Sequence, residues 1–133
     1  MSKSNPDLTQ AINPSHYRHN RIGGKECIEI THLMGFSAAC VVKYLWRAGH
    51  KAGQPAEQDL RKALRYLEFL IEKRQPAWVY ARVPQEYRDW KLDAQREGGH
   101  ELLIETLDLM SFGLYRQAHA ELSDYIKENY PNG

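Results

Sequence analysis

Basic and aromatic side chains are concentrated in one short stretch, KYLWRAGHKAG, at residues 43–53. Lys43 and Arg47 are four residues apart, so on a helix they share a face and present two positive charges to one point. Tyr44 and Trp46 add aromatic surfaces on which a base could stack. Cations are also favoured at any helix C-terminus, and aromatic residues at helical spacing commonly belong to a core. The spacing alone therefore leaves an anion site and the charged end of a core helix both open.

Acidic residues form two candidate metal-binding pairs. Glu26 and Glu29 are one turn apart, and Glu57 and Asp59 open a later helical stretch. Acidic pairs on two helices are what an all-α nucleotide pyrophosphohydrolase uses to hold Mg²⁺, because a hard cation that bridges phosphates needs several carboxylate oxygens. Solvated helix faces, the acids preferred at helix N-termini and an ion pair between Asp59 and Lys62 explain the same residues without a metal.

The segment before the helices contains two further candidates. His16 and Tyr17 lie in NPSHYR, an irregular stretch with no periodic face to pack. His16 could donate to a phosphate or act as an acid or base near neutral pH, or be an ordinary exposed histidine. Gly23 and Gly24 precede a helix whose backbone N–H groups could meet an anion, but the P-loop spacing is absent. No GxSxG, HExxH or protein kinase signature occurs either.

Helices must position these residues. The sequence predicts three in the first half of the chain, at residues 24–35, at residues 37–49 with Ser37 as the N-cap, and at residues 57–75 before a stop at Pro76. The third has leucines at three- and four-residue steps, which is a strong amphipathic pattern. Residues 1–23, with their prolines, asparagines and serines, are predicted to be an irregular arm.

The second half of the chain begins with an aromatic connector. It is expected to contain a short helix after Pro84, or one short strand at residues 79–83. Residues 100–129 carry a leucine and methionine stripe and are predicted to form one long helix, weakened or kinked near Gly113. The predicted fold is thus all-α, with a helical core at residues 24–75 and with residues 76–133 in the same domain.

Composition limits the class of protein. A chain of 133 residues fits one domain, and 18 Lys+Arg against 17 Asp+Glu give a net charge of +1, so binding to duplex nucleic acid or to a membrane is not expected. Cys27 and Cys40 form no metal-ligand spacing, and no apolar run is long enough for a signal peptide or a membrane span. We expect a reduced, cytoplasmic protein. A long apolar stripe in so small a chain needs a cover, which predicts a homo-oligomer.

Four blocks carry a family resemblance: NPSHYR, IGGKECIEI, GFSAACVVKYLWRAGHKAG and DLRKALRYLEFLIEK, in that order. They resemble a small phage-encoded, nucleotide kinase-like family, formerly of unknown function, that includes a deoxynucleoside monophosphate kinase. The resemblance covers residues 13–74. The residues that match the family pattern are His16, Tyr17, Glu29, Lys43, Tyr44, Arg47, Lys51, Asp59, Lys62 and Tyr66.

The resemblance implies a nucleotide ligand and a phosphoryl transfer from a triphosphate to a nucleoside monophosphate without a P-loop. Lys43, Arg47 and Lys51 would hold phosphates, while His16 and Tyr17 would close over the ligand. The substrate-binding set would also include Tyr44, Lys62 and Tyr66, the catalytic set would be His16, Lys43 and Asp59, and Glu29 and Asp59 would hold Mg²⁺.

One departure from the family pattern is expected to alter substrate preference. Ala39-Cys40 stands where the family often has Gly-Asn, and a thiol cannot replace both the donor and the acceptor of an asparagine amide. Two alternatives remain beside the kinase. One is an Mg²⁺-dependent all-α pyrophosphohydrolase, and the other is a non-enzymatic protein of an infected host cell that sequesters a nucleotide or contacts a host protein.

Overall fold

The computed structural model describes residues 20–48 and 56–132, and the described part of the chain is helical without a strand. The all-α prediction is therefore confirmed. The helices are α1 (Cys27–Thr31), α2 (Phe36–Ala48), α3 (Ala56–Lys73), α4 (Gln85–Glu97), α5 (Glu101–Ser111) and α6 (Tyr115–Asn129). His16, Tyr17 and Lys51, which were assigned site roles, lie outside the described residues.

Helix α1 is shorter than the predicted helix at residues 24–35. It has five residues, because the chain after it turns to pair with the connector. The Gly35 N–H donates to the Ala77 carbonyl at 3.1 Å, and the Val79 N–H donates to the Leu33 carbonyl at 2.9 Å. Backbone groups that a longer helix would have used internally thus join α1 to the second half of the chain.

Helices α2 and α3 form the antiparallel pair at the centre of the fold. Arg47 near the end of α2 meets Asp59 near the start of α3, whereas Phe36 at the start of α2 meets Tyr66 further along α3. Both helices contribute buried apolar residues to the core: Ala38, Val41, Val42, Leu45, Leu60, Ala63, Leu67 and Leu70. The predicted cap is wrong, since α2 already begins at Phe36 and Ser37 is a buried residue within it.

The stretch predicted as one long, kinked helix consists of two helices. Gly113 separates α5 from α6 with φ +74°, a left-handed conformation that glycine adopts without the steric cost a side chain would meet. The Leu114 N–H then donates back to the Leu109 carbonyl at 2.8 Å. The break lets both halves of the stripe reach the same core, in which Leu103, Leu107, Met110, Ala118 and Leu122 are buried.

Most of the apolar stripe therefore finds its cover within the chain, while Leu114 and Tyr125 are exposed. Helix α6 packs on α3 and α5, and α5 also packs on α2. Self-association was expected because the stripe needs a cover, and other helices of the same chain supply most of that cover. A homo-oligomer and a host-protein partner therefore remain predictions. None of the helices in the described ranges has the length and apolar character that crossing a membrane requires.

Helix α4 is the helix anticipated after Pro84, and it anchors the segment that leads into α1. Trp90 is completely buried, and its indole N–H donates to the Ile22 carbonyl at 2.7 Å. Trp46 of α2 stacks on Trp90 with ring centroids 5.6 Å apart and donates to the Asn20 carbonyl at 2.6 Å. Both indoles thus bury their ring surface while satisfying their single donor. Trp46 is therefore a core residue, which agrees with the interpretation of the KYLWR stretch as the charged end of a core helix.

Candidate functional site

Two lysines from different helices lie over one tyrosine ring. The Lys43 ammonium of α2 is 5.1 Å from the centroid of the Tyr44 ring, and the Lys62 ammonium of α3 is 5.4 Å from it. Both lysines are exposed. Within the described ranges neither ammonium has a carboxylate at ion-pair distance. The ring face attracts cations weakly, so it positions two positive charges that no acidic side chain of this part of the chain neutralises.

A second tyrosine holds this ring in place. Tyr66 of α3 stacks on Tyr44 with ring centroids 5.9 Å apart and an interplanar angle of 15°. Phe36, at the start of α2, meets the Tyr66 ring edge-on at 6.1 Å. Tyr44 and Tyr66 are half-buried, whereas 74% of the Phe36 surface is exposed. The aromatic row is therefore a rigid, partly open surface between the two lysines' helices, and we name Lys43, Tyr44, Lys62 and Tyr66 the cationic face.

An ion pair connects the ends of α2 and α3 beside the cationic face. The Arg47 Nε lies 3.9 Å from the Asp59 Oδ2. The Asp59 side chain is completely buried, whereas about half of Arg47 is exposed. The acid lies in the first turn of α3 and the base in the last turn of α2, so both helix dipoles favour the arrangement. The alternative intrahelical pair of Asp59 with Lys62 is not formed, since Lys62 lies over the Tyr44 ring instead.

Both thiols lie in the electric field of Lys43. Burial raises the pKa of Cys27 to about 12 and also raises the pKa of Cys40, while the nearby Lys43 charge opposes the rise at each thiol. Cys40 also interacts with the hydroxyl of Tyr66, and that contact raises the pKa of the Tyr66 phenol. Cys40 therefore borders the cationic face directly.

The predicted Mg²⁺ ligands are not brought into one cluster. Glu29 accepts from the Glu26 N–H at 2.8 Å in a capping box of α1 and lies 3.9 Å from the Lys25 ammonium. Asp59 contacts Arg47. In residues 20–48 and 56–132, no three metal-ligating side chains come together. The Mg²⁺ assignment to Glu29 and Asp59 stays a prediction.

The comparisons with known proteins give one match. Residues 12–68 match the model of a family described as a protein of unknown function, DUF3310. No curated protein and no solved structure matches the chain. The matched segment lies within the stretch that carried the resemblance in the sequence, apart from its first residue, and it contains every predicted site residue. The description of that family names no activity, so the nucleotide kinase-like part of the resemblance remains a prediction.

The predicted substrate-binding residues include all four members of the cationic face but not two of its neighbours. The structure joins Lys43, Tyr44, Lys62 and Tyr66 at one place. Phe36 and Cys27 were not among the predicted site residues. An i, i+4, i+8 relation among Phe36, Cys40 and Tyr44 on α2 is the signal that would have found Phe36.

Proposed function

We propose that this protein binds a nucleotide through its phosphates at the cationic face and transfers a phosphoryl group from a nucleoside triphosphate to a nucleoside monophosphate. One observation carries the proposal. Lys43 and Lys62, on neighbouring helices, lie over the same tyrosine ring, and neither has a carboxylate partner among the described residues. Two ammonium groups over one ring repel each other, and a polyphosphate that contacts both offsets that repulsion.

The chemistry of phosphoryl transfer suits such a site. The transferred group passes through a transition state with little covalent help from the protein, so catalysis consists of positioning and of neutralising negative charge. Lys43 and Lys62 would neutralise phosphate charge. Arg47, oriented by Asp59, would contribute a third cation one turn from Lys43. His16, Tyr17 and Lys51 keep their proposed roles from the resemblance, which the described residues do not address.

Mg²⁺ would enter this reaction with the nucleotide. In kinase sites the ion keeps several waters and is held mainly by substrate phosphates with one or two carboxylates, so a complete cage of protein ligands is not required. When bound, it would supply charge neutralisation between phosphates. Every role assigned above to Lys43, Lys62 and Arg47 stands on the charges of these side chains alone.

A coupled assay tests the proposal. Purified protein is mixed with ATP, Mg²⁺ and each deoxynucleoside monophosphate in turn, and diphosphate formation is measured beside equilibrium binding of the same nucleotides. We expect diphosphate from at least one acceptor, with losses of tenfold or more in Lys43→Ala and Lys62→Ala. Lys73→Ala is the matched control, because Lys73 is an exposed lysine in the last turn of the same α3 helix.

The same assay separates the alternatives. One outcome is tight nucleotide binding that Lys43→Ala weakens, with no diphosphate formed. It would support the nucleotide site, contradict the kinase activity and favour a protein that sequesters nucleotides. Release of pyrophosphate from a triphosphate without an acceptor, lost in Glu29→Gln, would favour the pyrophosphohydrolase. Binding that is equal in wild type and in both lysine variants would overturn the cationic face as a phosphate site.

A further inference from the structure

An exposed phenylalanine lies in the aromatic row that begins at the cationic face. The Phe36 ring meets the Tyr66 ring edge-on, with centroids 6.1 Å apart and planes inclined by 75°, and 74% of the Phe36 surface is exposed. A single exposed apolar residue is ordinary on a protein surface. Phe36 differs because contacts between rings connect it to the place where two lysines have no carboxylate partner among the described residues.

The other rings of the row already have groups placed against them. Tyr44 has Tyr66 stacked on it, and both lysine ammonium groups approach its ring. Tyr66 also contacts the rings of Phe36 and Phe69. The Arg65 guanidinium lies 4.2 Å from the centroid of the Phe69 ring. Among the described residues Phe36 pairs with no second ring and no cation, so its ring is the one that remains open to a ligand.

The charges along the row give it a direction. At the Phe69 end, Arg65 lies 3.2 Å from the Glu68 carboxylate and 3.4 Å from the Glu72 carboxylate, so its positive charge is neutralised. At the Tyr44 end, the charges of the two lysines are not neutralised by any described carboxylate. An anionic group is therefore attracted to the lysine end, and a flat uncharged group can cover the exposed phenylalanine ring.

The distance between these two places suits a nucleotide with several phosphates. Phe36 and Lys43 are seven residues apart on α2, which is about two turns, so they lie on the same side of the helix at a rise of about 10 Å. The steps between them are measured contacts: Phe36 to Tyr66 at 6.1 Å, Tyr66 to Tyr44 at 5.9 Å, and Tyr44 to Lys43 at 5.1 Å. The extended chain of a triphosphate reaches farther from its base than a single phosphate does. The arrangement therefore fits the triphosphate donor better than the monophosphate acceptor.

We infer that Phe36 stacks on the base of the nucleoside triphosphate whose phosphates lie at the cationic face, an inference that rests on the proposed function. Stacking on an aromatic ring tolerates any base, because every base has a π-face. The donor site accordingly accepts all four bases. Purines bind more tightly than pyrimidines, since their larger ring system covers more of the phenylalanine.

Isothermal titration with two kinds of probe separates the base contact from the phosphate contacts. The probes are the four deoxynucleoside triphosphates and inorganic tripolyphosphate, each titrated into the full chain with Mg²⁺. Phe36→Ala removes the ring, and Phe36→Trp replaces it with a larger ring that can also stack. Phe112→Ala is the matched control, because Phe112 is likewise 74% exposed and has no ring or cation contact within the described ranges.

The expected result is a loss of tenfold or more in the affinity of Phe36→Ala for purine triphosphates and a smaller loss for pyrimidine triphosphates. Binding of tripolyphosphate should not change, because it has no base. Phe36→Trp should bind triphosphates at least as tightly as the wild type does, and Phe112→Ala should bind them as the wild type does.

Fluorescence adds a measurement that a purely structural role for Phe36 would not alter. Trp46, Trp78 and Trp90 are buried. The exposed indole that Phe36→Trp introduces should therefore emit at a longer wavelength than these three. A purine triphosphate that stacks on this indole should quench its emission, whereas tripolyphosphate should not.

Three outcomes would contradict parts of this account. Wild-type triphosphate affinity in Phe36→Ala, with weaker binding in Lys43→Ala, would overturn the base contact and leave the phosphate site standing. Equal losses of triphosphate and tripolyphosphate binding in Phe36→Ala would also overturn the base contact, since they would make Phe36 a support for the cationic face. Triphosphate binding that Phe36→Ala weakens, but Lys43→Ala and Lys62→Ala leave unchanged, would instead support the stack and overturn the proposed phosphate site.

Discussion

Tyr44 of α2 and Tyr66 of α3 stack almost in parallel, with ring centroids 5.9 Å apart and planes inclined by 15°. The pair joins the two central helices at the point where Lys43 and Lys62 approach the Tyr44 ring. The stack thereby holds the ring over which both ammonium groups lie. Helix packing and the charge arrangement of the cationic face are consequently coupled through a single aromatic contact.

A double-mutant cycle on Tyr44→Ala and Tyr66→Ala should measure this contact. Aromatic pairs contribute about 0.5–1.5 kcal/mol beyond the area they bury, so we expect a coupling free energy of unfolding in that range. Urea unfolding of the two single variants and the double variant gives the value. Tyr80→Ala is the control, because 81% of the Tyr80 surface is exposed, and it should change stability little. Additive losses from Tyr44→Ala and Tyr66→Ala would contradict the stack.

Gly23 and Gly24 should differ in their tolerance of alanine. Both have positive φ, at +58° and +78°, so alanine at either position costs about 1–2 kcal/mol of backbone strain. A Cβ on Gly23 would also lie 2.9 Å from the Trp90 Nε1 and 3.0 Å from the Ala94 backbone nitrogen, whereas a Cβ on Gly24 would meet open space. Overpacking of this kind adds about 1–3 kcal/mol.

Chemical denaturation of Gly23→Ala and Gly24→Ala gives this difference directly, since the strain is common to both. A Gly23→Ala protein as stable as Gly24→Ala would show that the close approach of the turn to Trp90 is wrong. Trp90 fluorescence provides a second measurement, because displacement of the indole from the Ile22 carbonyl should shift its emission in the Gly23 variant alone.

Thiol reactivity should report the position of Lys43. The Lys43 charge lowers the pKa of both Cys27 and Cys40 against the larger effect of burial, so Lys43→Ala should raise both pKa values further and slow alkylation of the native protein at pH 8.5. Mass spectrometry after timed iodoacetamide treatment measures the rates. Lys62→Ala, which removes a charge over the same tyrosine ring, should leave them unchanged. Faster alkylation in Lys43→Ala, with unfolding excluded by circular dichroism, would place Lys43 away from the thiols.

Glu105 and Glu121 should make stability depend on pH. Their carboxyl groups share a hydrogen bond between α5 and α6, which together with burial and the Glu121 charge raises the pKa of Glu105 above its ordinary value of 4.5. The folded state then holds its proton more tightly than the unfolded chain does. Stability is therefore greatest below pH 4.5 for this group and falls as pH rises through the raised pKa.

Glu105→Gln should remove that dependence and stabilise the protein at pH 7 on the order of a few tenths of a kcal/mol, since Glu105 is exposed and Glu121 is only half-buried. Thermal unfolding of wild type and variant between pH 4 and pH 8 measures the effect. Asp124→Asn on the exposed side of α6 removes the same charge without touching the pair and serves as the control. Parallel pH profiles for wild type and Glu105→Gln would contradict the shared proton.

The helical class was predictable, and several boundaries were not. The leucine period of α3 is local information, and the helix forms where that period predicts it. The early end of α1 was not predictable, because it depends on backbone hydrogen bonds from Gly35 and Val79 across more than forty residues of sequence. The sequence predicted only that the helix is weak near Gly113. A helix with one glycine can bend or divide into two, and the packing of its two halves on the core decides which occurs.

Some features of the candidate site were likewise predictable from the sequence, and others were not. The sequence determined which cations and aromatic residues belong together, because Lys43, Tyr44 and Arg47 have fixed helical spacing on α2. Only the tertiary structure decided that Lys62 lies over the Tyr44 ring, that Asp59 pairs with Arg47 rather than with Lys62, and that Glu29 caps α1. Each of these contacts, except the cap, depends on the register between α2 and α3.

The sequence by itself determined the helices and the charge pattern on each one, because backbone hydrogen bonds and side-chain periodicity act within a few residues. The tertiary structure decided how the charges meet and created a cavity between the two halves of the chain, which no single segment contains. The physical reason is that burial selects one packing of helices for the whole core. Side chains at the boundary of that core, such as Lys62, Asp59 and Tyr125, receive their neighbours from that packing rather than from their own local sequence.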